Sequence, residues 1–389
     1  KIIYYESSRG CPFSCSYCLS SIDKKLRFRD LELVKKELQF FLDHNVPQVK
    51  FVDRTFNCKH DHAMAIWTYI HEHDNGITNF HFEVSADLLN EKEIALINRM
   101  RPGLIQLEIG VQSANEITIR EINRTMKIDI LSTIVDKIKK GNNVHQHLDL
   151  IAGLPYEGYE SFGKSFDRVY KMNPEQLQLG FLKVLKGSVM HDRAQEYGIV
   201  YQDRAPYEVL STKWLTYAEV IRLKQIEEMV EVYYNSGQFC CTMAALEQEF
   251  ASPFCMYECL AAYYDEKNAF AVSHSRIGRY EILYDFIVKT CKERSEQYME
   301  MLTLDMYLRD NVKKRPEFLR ESGVSSDEAA AFYKKEEKER TYLKAYEGYD
   351  RRQMRKMTHL ERIDGKTVLF DYKNRDPLTG NAAIYYLSE

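Results

Sequence analysis

The sequence predicts an α/β protein: an open, partial (β/α)6 barrel followed by a mainly α-helical carboxyl-terminal domain with a terminal β-hairpin. Three observations predict it. From residue 1 to about residue 190, short apolar runs alternate with amphipathic stretches, which is the pattern of βαβ units and a parallel sheet. Six such units are too few to close an eight-stranded barrel. Near Met190 the rhythm stops, and YGIVYQDRAPYEVLS breaks the pattern with Gly and Pro. The expected domains are therefore 1–195 and 196–389.

The expected strands are 2–5, 48–52, 79–84, 104–109, 145–151 and 176–181. Between them, apolar residues at helical spacing predict helices over 31–42, 63–73, 91–100, 130–140 and 161–172. In the second half, helical patterns cover 217–234, 244–250, 255–264 and 279–293, the last running on to Met306. A charged segment, 325–356, opens on a Ser-Ser-Asp cap signal and reads as one or two solvated helices. Apolar runs at 366–372 and 382–387, around NRDPLTG, predict the hairpin.

Composition narrows the function classes. With 389 residues, 44% of them hydrophobic, the chain can build one large or two medium cores. No stretch approaches the ~20 apolar residues of a membrane span, so no membrane partner is expected. A net charge of −4 gives no basic footprint for nucleic acid. Nine cysteines in a chain of this length, without a visible secretory segment, do not form a disulfide framework. They point to a reducing, cytoplasmic setting. Residue 1 is Lys and the first strand begins at once, as expected of the downstream part of a longer protein.

The most specific motif is Cys11-x-x-x-Cys15-x-x-Cys18, directly behind the first strand. Thiolates at this spacing can wrap three irons of a cubane [4Fe–4S] cluster and leave the fourth iron without a protein ligand. A structural zinc site would want a fourth Cys or His close by, and only Cys58 and the histidines from His60 onward are near. Polar residues then recur at strand ends, where α/β sheets carry function. They are Asp53 and Asn57 in DRTFN, Glu83, Glu108, Gln112 with Arg124 beyond it, and Asp149. Singly, each has a plain explanation as a turn or helix cap. His145 and His147 precede Asp149 by four and two positions and share its face of a strand. A buried, hydrogen-bonded pair explains them; His147, nearer the carboxyl end, is the candidate catalytic contact.

The cysteine loop resembles that of the radical S-adenosylmethionine (SAM) superfamily. Taken with the strand-end residues, roughly residues 1–190 resemble the oxygen-independent coproporphyrinogen dehydrogenases, the tRNA methylthiotransferases and the cobalamin-associated radical SAM enzymes. The resemblance implies a [4Fe–4S] cluster on Cys11, Cys15 and Cys18, and SAM bound to its open iron and cleaved to a 5′-deoxyadenosyl radical. It implies SAM contacts from Gln112, Arg124 and Asp149, with Glu83 and Glu108 beside them. Physically, Asp149 suits ribose hydroxyls, Arg124 a carboxylate, and Gln112 both donates and accepts. A Gly-Gly-Glu run common in the superfamily is replaced here by DRTFN, which leaves Asp53 and Asn57 for the methionine amino group.

The whole arrangement resembles radical SAM proteins with an amino-terminal cobalamin-binding domain and a helical carboxyl-terminal domain of unknown function. That resemblance implies cobalamin held by a domain absent from this chain, with methyl transfer as one outcome. The expected partners are a flavodoxin- or ferredoxin-like reductant and a small-molecule substrate. Porphyrinogen decarboxylation and heme trafficking are the alternatives. Lys183 and Lys186 are candidates for an anionic group, and Tyr156 and Glu157 for the active-site mouth. Arg351, Arg352, Arg355 and Lys356 read as a salt-bridged face beside their acidic neighbours. Cys240, Cys241, Cys255 and Cys259 match no cluster spacing and read as core.

Overall fold

The computed structural model describes residues 1–312 and 314–387. Contacts divide the chain into two compact units, Lys1–Val230 with Pro253–Cys255, and Glu231–Ser252 with Met256–Glu389.

The first unit is built on a six-stranded, wholly parallel sheet: β1 (Ile2–Tyr5), β2 (Gln48–Phe51), β3 (Asn79–Val84), β4 (Ile105–Gln112), β5 (His145–Ala152) and β6 (Gln176–Phe181). The strands lie side by side in chain order, so β1 and β6 form the edges and the sheet stays open. The helices of the repeat are α1 (Leu31–Asp43), α2 (His60–Glu72), α3 (Glu91–Ile97), α4 (Glu116–Glu121), α5 (Ile128–Lys139) and α6 (Tyr159–Tyr170). Three of them, α1, α3 and α4, start where a side chain supplies orphan backbone N–H groups with an acceptor. Asp30 caps α1 by accepting from Glu32 and Leu33 N–H at 3.1 Å each. Asn90 and Glu93 form a reciprocal capping box on α3.

Period-2 alternation decides what the sheet offers on each face. On β2, Val49 and Phe51 point into the helix layer and are fully buried. Phe51, Phe56 and Phe82 pack there with ring centroids 4.4–5.3 Å apart. Lys50 takes the other face, and the register carries that face across the sheet through Lys50–His81, Glu83–Glu108, Glu108–His147 and Gly110–Asp149. A row of polar residues thus lines the inner face of the half-barrel.

The first unit runs past the expected boundary at residue 195, to Val230. A short antiparallel ribbon, Val200–Tyr201 with Val209–Ser211, and helix α7 (Tyr217–Val230) pack onto the β6 side of the sheet. The ribbon is tied there by Val209 N–H to Leu182 O at 2.9 Å. Tertiary packing carries this segment with the barrel even though its βαβ rhythm has ended.

The second unit is helical, with α8 (Cys240–Leu246), α9 (Pro253–Glu266, begun in the first unit), α10 (Arg276–Thr290), α11 (Ser295–Arg309), α12 (Ser326–Glu339) and α13 (Arg351–Met357). The long helix expected through residues 279–306 is two helices, broken at Cys291, which leaves helical backbone geometry. The capping box at Ser325 and Glu328 opens α12 where the Ser-Ser-Asp signal predicted. The terminal hairpin, β8 (Lys366–Arg375) with β9 (Ala382–Tyr386), carries a third strand ahead of it, β7 (Thr358–Ile363). Cys240 and Cys241 sit at the start of α8 beside Asp305, whose carboxylate accepts Cys241 and Thr242 N–H at 2.9 and 2.8 Å. Asp305 therefore acts as a cap supplied from another helix.

Candidate active site

A cavity of about 210 Å³ opens at the carboxyl ends of β3, β4 and β5. The loop after β1 brings Cys11, Cys15 and Cys18 into its wall together, and none of the three is in a disulfide. Backbone bonds hold the loop: Cys11 N–H donates to Asp23 O at 3.1 Å, and Ser16 N–H to Ile122 O at 2.9 Å. Thr55 Oγ1 lies 3.7 Å from Cys11 Sγ. Burial pushes the Cys15 thiol up, and the Arg124 guanidinium, 4.0 Å from its sulfur, opposes that.

Opposite the thiols stand the strand-end residues. Gln112 ends β4 at a bulge with φ of 74°, a left-handed conformation that turns its side chain back over the strand. Gly110 makes room for it: a Cβ there would fall 2.2 Å from Gln112 Nε2 and 3.3 Å from Arg124 Nη2. Arg124 is anchored on Gly110 O and reaches Tyr17 OH at 3.4 Å. Two polar atoms in this wall, Gln112 Oε1 and Arg124 Nε, are shielded from water and make no hydrogen bond among the described residues, and Asp149 Oδ1 has only the His147 imidazole near it, at 2.9 Å. Buried polar atoms are nearly always paired, so this concentration of unpaired ones marks a site shaped for something else.

The acids differ in state. Glu108 Oε2 accepts from His81 Nε2 at 2.8 Å and Lys50 Nζ at 2.9 Å, and these contacts hold its pKa down to about 2. Glu83, on the adjacent strand, makes no hydrogen bond among the described residues; burial, then repulsion from Glu108, lifts it to about 7. Asp149 Oδ1 and His147 Nε2 lie 2.9 Å apart, close enough for an ion pair but not aligned as a hydrogen bond. Burial disfavours a charged His147, yet the Asp149 carboxylate outweighs it and raises the imidazole pKa.

Several expectations need correction. Asp53 is wholly buried and accepts from Ser7 N–H at 3.0 Å, Ser7 Oγ at 2.7 Å and Ser8 Oγ at 2.6 Å. Asn57 is stapled to the Ser85 backbone, donating to its O at 2.8 Å and accepting from its N–H at 2.9 Å. Neither walls the cavity; both hold its loops, so the sequence offers no amino-group ligand from DRTFN at those two positions. His147 is 6% exposed and sits behind Asp149 rather than in the cavity wall. It is placed to orient Asp149, not to touch a substrate. Glu157 is buried away from the mouth, where Ser113 and Ser165 hydroxyls each donate to it at 2.7 Å. Lys186 lines neither this cavity nor its neighbour.

Sequence reasoning missed Lys50, His81, Tyr17 and Arg54. The first two were available from the alternation applied above to β5 alone: on β2 and β3 it puts Lys50, His81 and Glu83 on the inner face.

This geometry, three loop cysteines over the carboxyl ends of a parallel half-barrel, is that of a radical SAM domain, and residues 5–169 match the family described as "Radical SAM superfamily". A second family, described as a protein of unknown function (DUF4080), matches residues 195–377. Among curated relatives, the oxygen-independent coproporphyrinogen III oxidase of Salmonella typhimurium is 29% identical over 107 residues, 26% of this chain and 23% of that protein. The cobalamin-dependent radical SAM methyltransferase TokK of Streptomyces tokunonensis is 22% identical over 212 residues, 50% of this chain and 30% of that protein. The chain thus spans about a quarter of the coproporphyrinogen oxidase it matches. Among solved structures, the cobalamin-dependent SAM radical enzyme OxsB with aqua-cobalamin bound aligns with 78% of this chain and 53% of its own length, at 13% identity and a TM-score of 0.47.

The superfamily implies a [4Fe–4S] cluster and SAM, and the residues present fit both. Three free thiols with no histidine or fourth cysteine in the cavity wall suit a cluster with one open iron. The unpaired amide and guanidinium atoms, with the Asp149 carboxylate across from them, suit a polar nucleotide. No helix among the described residues is long and apolar enough to cross a membrane.

Proposed function

We propose that this chain is the catalytic portion of a radical SAM enzyme acting on a small-molecule substrate, with cobalamin-dependent methyl transfer as the favoured reaction. Cys11, Cys15 and Cys18 would hold the cluster, and Gln112, Arg124, Asp149 and Glu83 would hold SAM. When bound, these groups supply single-electron cleavage of SAM to a 5′-deoxyadenosyl radical. The protein's own contribution is binding, orientation and exclusion of water. His147, 2.9 Å from Asp149 Oδ1, fixes the rotamer of that carboxylate and so orients it toward ribose hydroxyls. Gly110 and the left-handed turn at Gln112 set the amide across from it. Arg124 places a permanent positive charge beside Cys15, where it offsets negative charge gathered by the thiolates. Glu83, neutral or charged near pH 7, is matched to the ammonium of an amino acid: approach of that cation draws its proton off.

One observation carries the reading: unpaired buried polar atoms stand across one cavity from three free thiols. Kinship with TokK, a cobalamin-dependent methyltransferase, favours methyl transfer, with the cobalamin held outside this chain. The electron would come from a flavodoxin- or ferredoxin-like reductant. The test is anaerobic reconstitution followed by dithionite and SAM. Formation of 5′-deoxyadenosine by protein carrying about four irons per chain supports the proposal. Cluster-loaded protein that binds heme and forms no 5′-deoxyadenosine would replace it with the trafficking alternative.

A further inference from the structure

A second compartment, of about 450 Å³, adjoins the first and shares six of its wall residues: Tyr17, Cys18, Ser20, Arg54, Gln112 and Asp149. Its separate walls come from the carboxyl ends of β5 and β6 and the segment beyond. Ile151, Phe181 and Leu185 are half-buried there and give it an apolar floor. Two cations stand on the walls, Arg54 and Lys183. Both are exposed, and neither side chain makes a hydrogen bond or ion pair among the described residues. The nearby Lys224 behaves otherwise: it pairs with Glu208 and lies over the Phe181 ring, 4.7 Å from its centroid. Asp149, the one acid in the wall, already has His147 beside it at 2.9 Å. The compartment is therefore apolar below and carries positive charge above: Arg54 shares the field of Glu6 and Glu83, whereas Lys183 has no ion pair among the described residues.

Lys183 is not on a free loop. Its backbone bridges to Glu208, and the residues on either side are tied as well: Leu182 N–H donates to Ala152 O and Val184 N–H to Tyr207 O, each at 2.9 Å. The root of the side chain is held at the wall, which lowers the entropy cost of using it.

We propose that this compartment is the substrate site and that the substrate is a small amphipathic anion. Its apolar body lies against Ile151, Phe181 and Leu185, and its carboxylate or phosphate ester is held by Lys183 with Arg54 beside it. The volume is that of a small-molecule pocket, and the shared wall sets the substrate next to Gln112 and Asp149. The inference rests on the radical SAM reading above, since it names the substrate class for that same site.

The test is equilibrium dialysis of the cluster-loaded full chain against radiolabelled octanoate, octyl phosphate and octanol, each with and without SAM, with SAM binding measured in the same cells. The anions should bind more tightly than octanol, and the tighter of the two identifies the headgroup. Lys183→Met should weaken anion binding about tenfold and leave octanol and SAM binding unchanged. Lys183→Arg should restore it. Equal binding of all three probes, or anion binding indifferent to Lys183→Met, overturns the substrate class. If SAM binds normally when that happens, the radical SAM reading stands and this inference alone fails; loss of SAM binding by the wild type would instead sink the reading itself.

Discussion

The two units differ in the acids they leave without structural partners. In the helical unit every buried carboxylate among the described residues has a structural task. Asp305 caps α8. Glu336 accepts Tyr342 and Leu343 N–H at 3.0 and 2.9 Å. Glu361 takes Arg315 Nη1 at 2.5 Å, and Asp371 takes Lys373 N–H at 3.0 Å and Asn374 Nδ2 at 2.6 Å. In the barrel, Asp53, Glu93 and Glu157 are held in the same way, but at the cavity half-buried Glu83 makes no hydrogen bond among the described residues and Asp149 has only His147 beside it, at 2.9 Å. Burying a polar group without a partner costs stability, so a fold that keeps several at one cavity is holding them for a ligand. The contrast separates acids that hold the fold from acids that await something.

The largest expected effect comes from the thiols, which belong wholly to the second kind. Cys15→Ala should abolish iron loading and 5′-deoxyadenosine formation while leaving the far-ultraviolet circular dichroism of the full chain unchanged. Retention of cluster absorbance and product would remove the basis for treating the loop as a cluster site.

Asp149 and Asp305 make the sharpest pair. Asp149→Asn should weaken SAM binding by at least about tenfold, because an amide nitrogen replaces an acceptor, while the urea midpoint moves little. Asp305→Ala should do the reverse. It orphans two backbone N–H groups and should cost about 2–4 kcal/mol, read as a lower midpoint with SAM affinity intact. If both substitutions hit stability equally, the distinction between the two units is lost.

Much of this arrangement was legible in the chain. The strand–helix alternation placed all six sheet strands, and the cysteine spacing singled out the loop whose three thiols meet at the cavity, because both are local patterns. What stayed hidden depends on partners far apart in sequence. Asp53 and Asn57 have the residue type and strand-end position of ligands, yet Ser7 and Ser85 occupy them from 46 and 28 residues away. His147 lies on the predicted face, but its depth behind Asp149 is set by packing. Cys240 and Cys241 gave no metal spacing, and nothing in the sequence pointed to Asp305 as the group above them. The break at Cys291 falls in a polar stretch, 289–297, where Cys291 is the one apolar residue, so the end of helical spacing there was a signal the reading of one long helix passed over.

The smallest effect is the most diagnostic of Glu83. Burial and the Glu108 charge lift its pKa from 4.5 to about 7 in the ligand-free fold. The unfolded chain, with an ordinary carboxyl, binds fewer protons than the native state between those values, so stability must fall as pH rises through that window. Glu157, lifted to about 7 by burial, adds a slope of the same sign. Glu83→Gln removes one contribution: the cluster-free variant should lose less stability than wild type between pH 5 and 8, gaining about 1–3 kcal/mol at the upper end. Urea melts of the full chain across that range measure it. Identical pH slopes in variant and wild type would mean that Glu83 is already ionised, and that its carboxylate is held by the fold like those of the helical unit. SAM should then shift the comparison further. Its ammonium favours ionised Glu83, so binding at pH 6 should release a proton, seen as a calorimetric heat that depends on the buffer's ionisation enthalpy. The Glu83→Gln protein should show none.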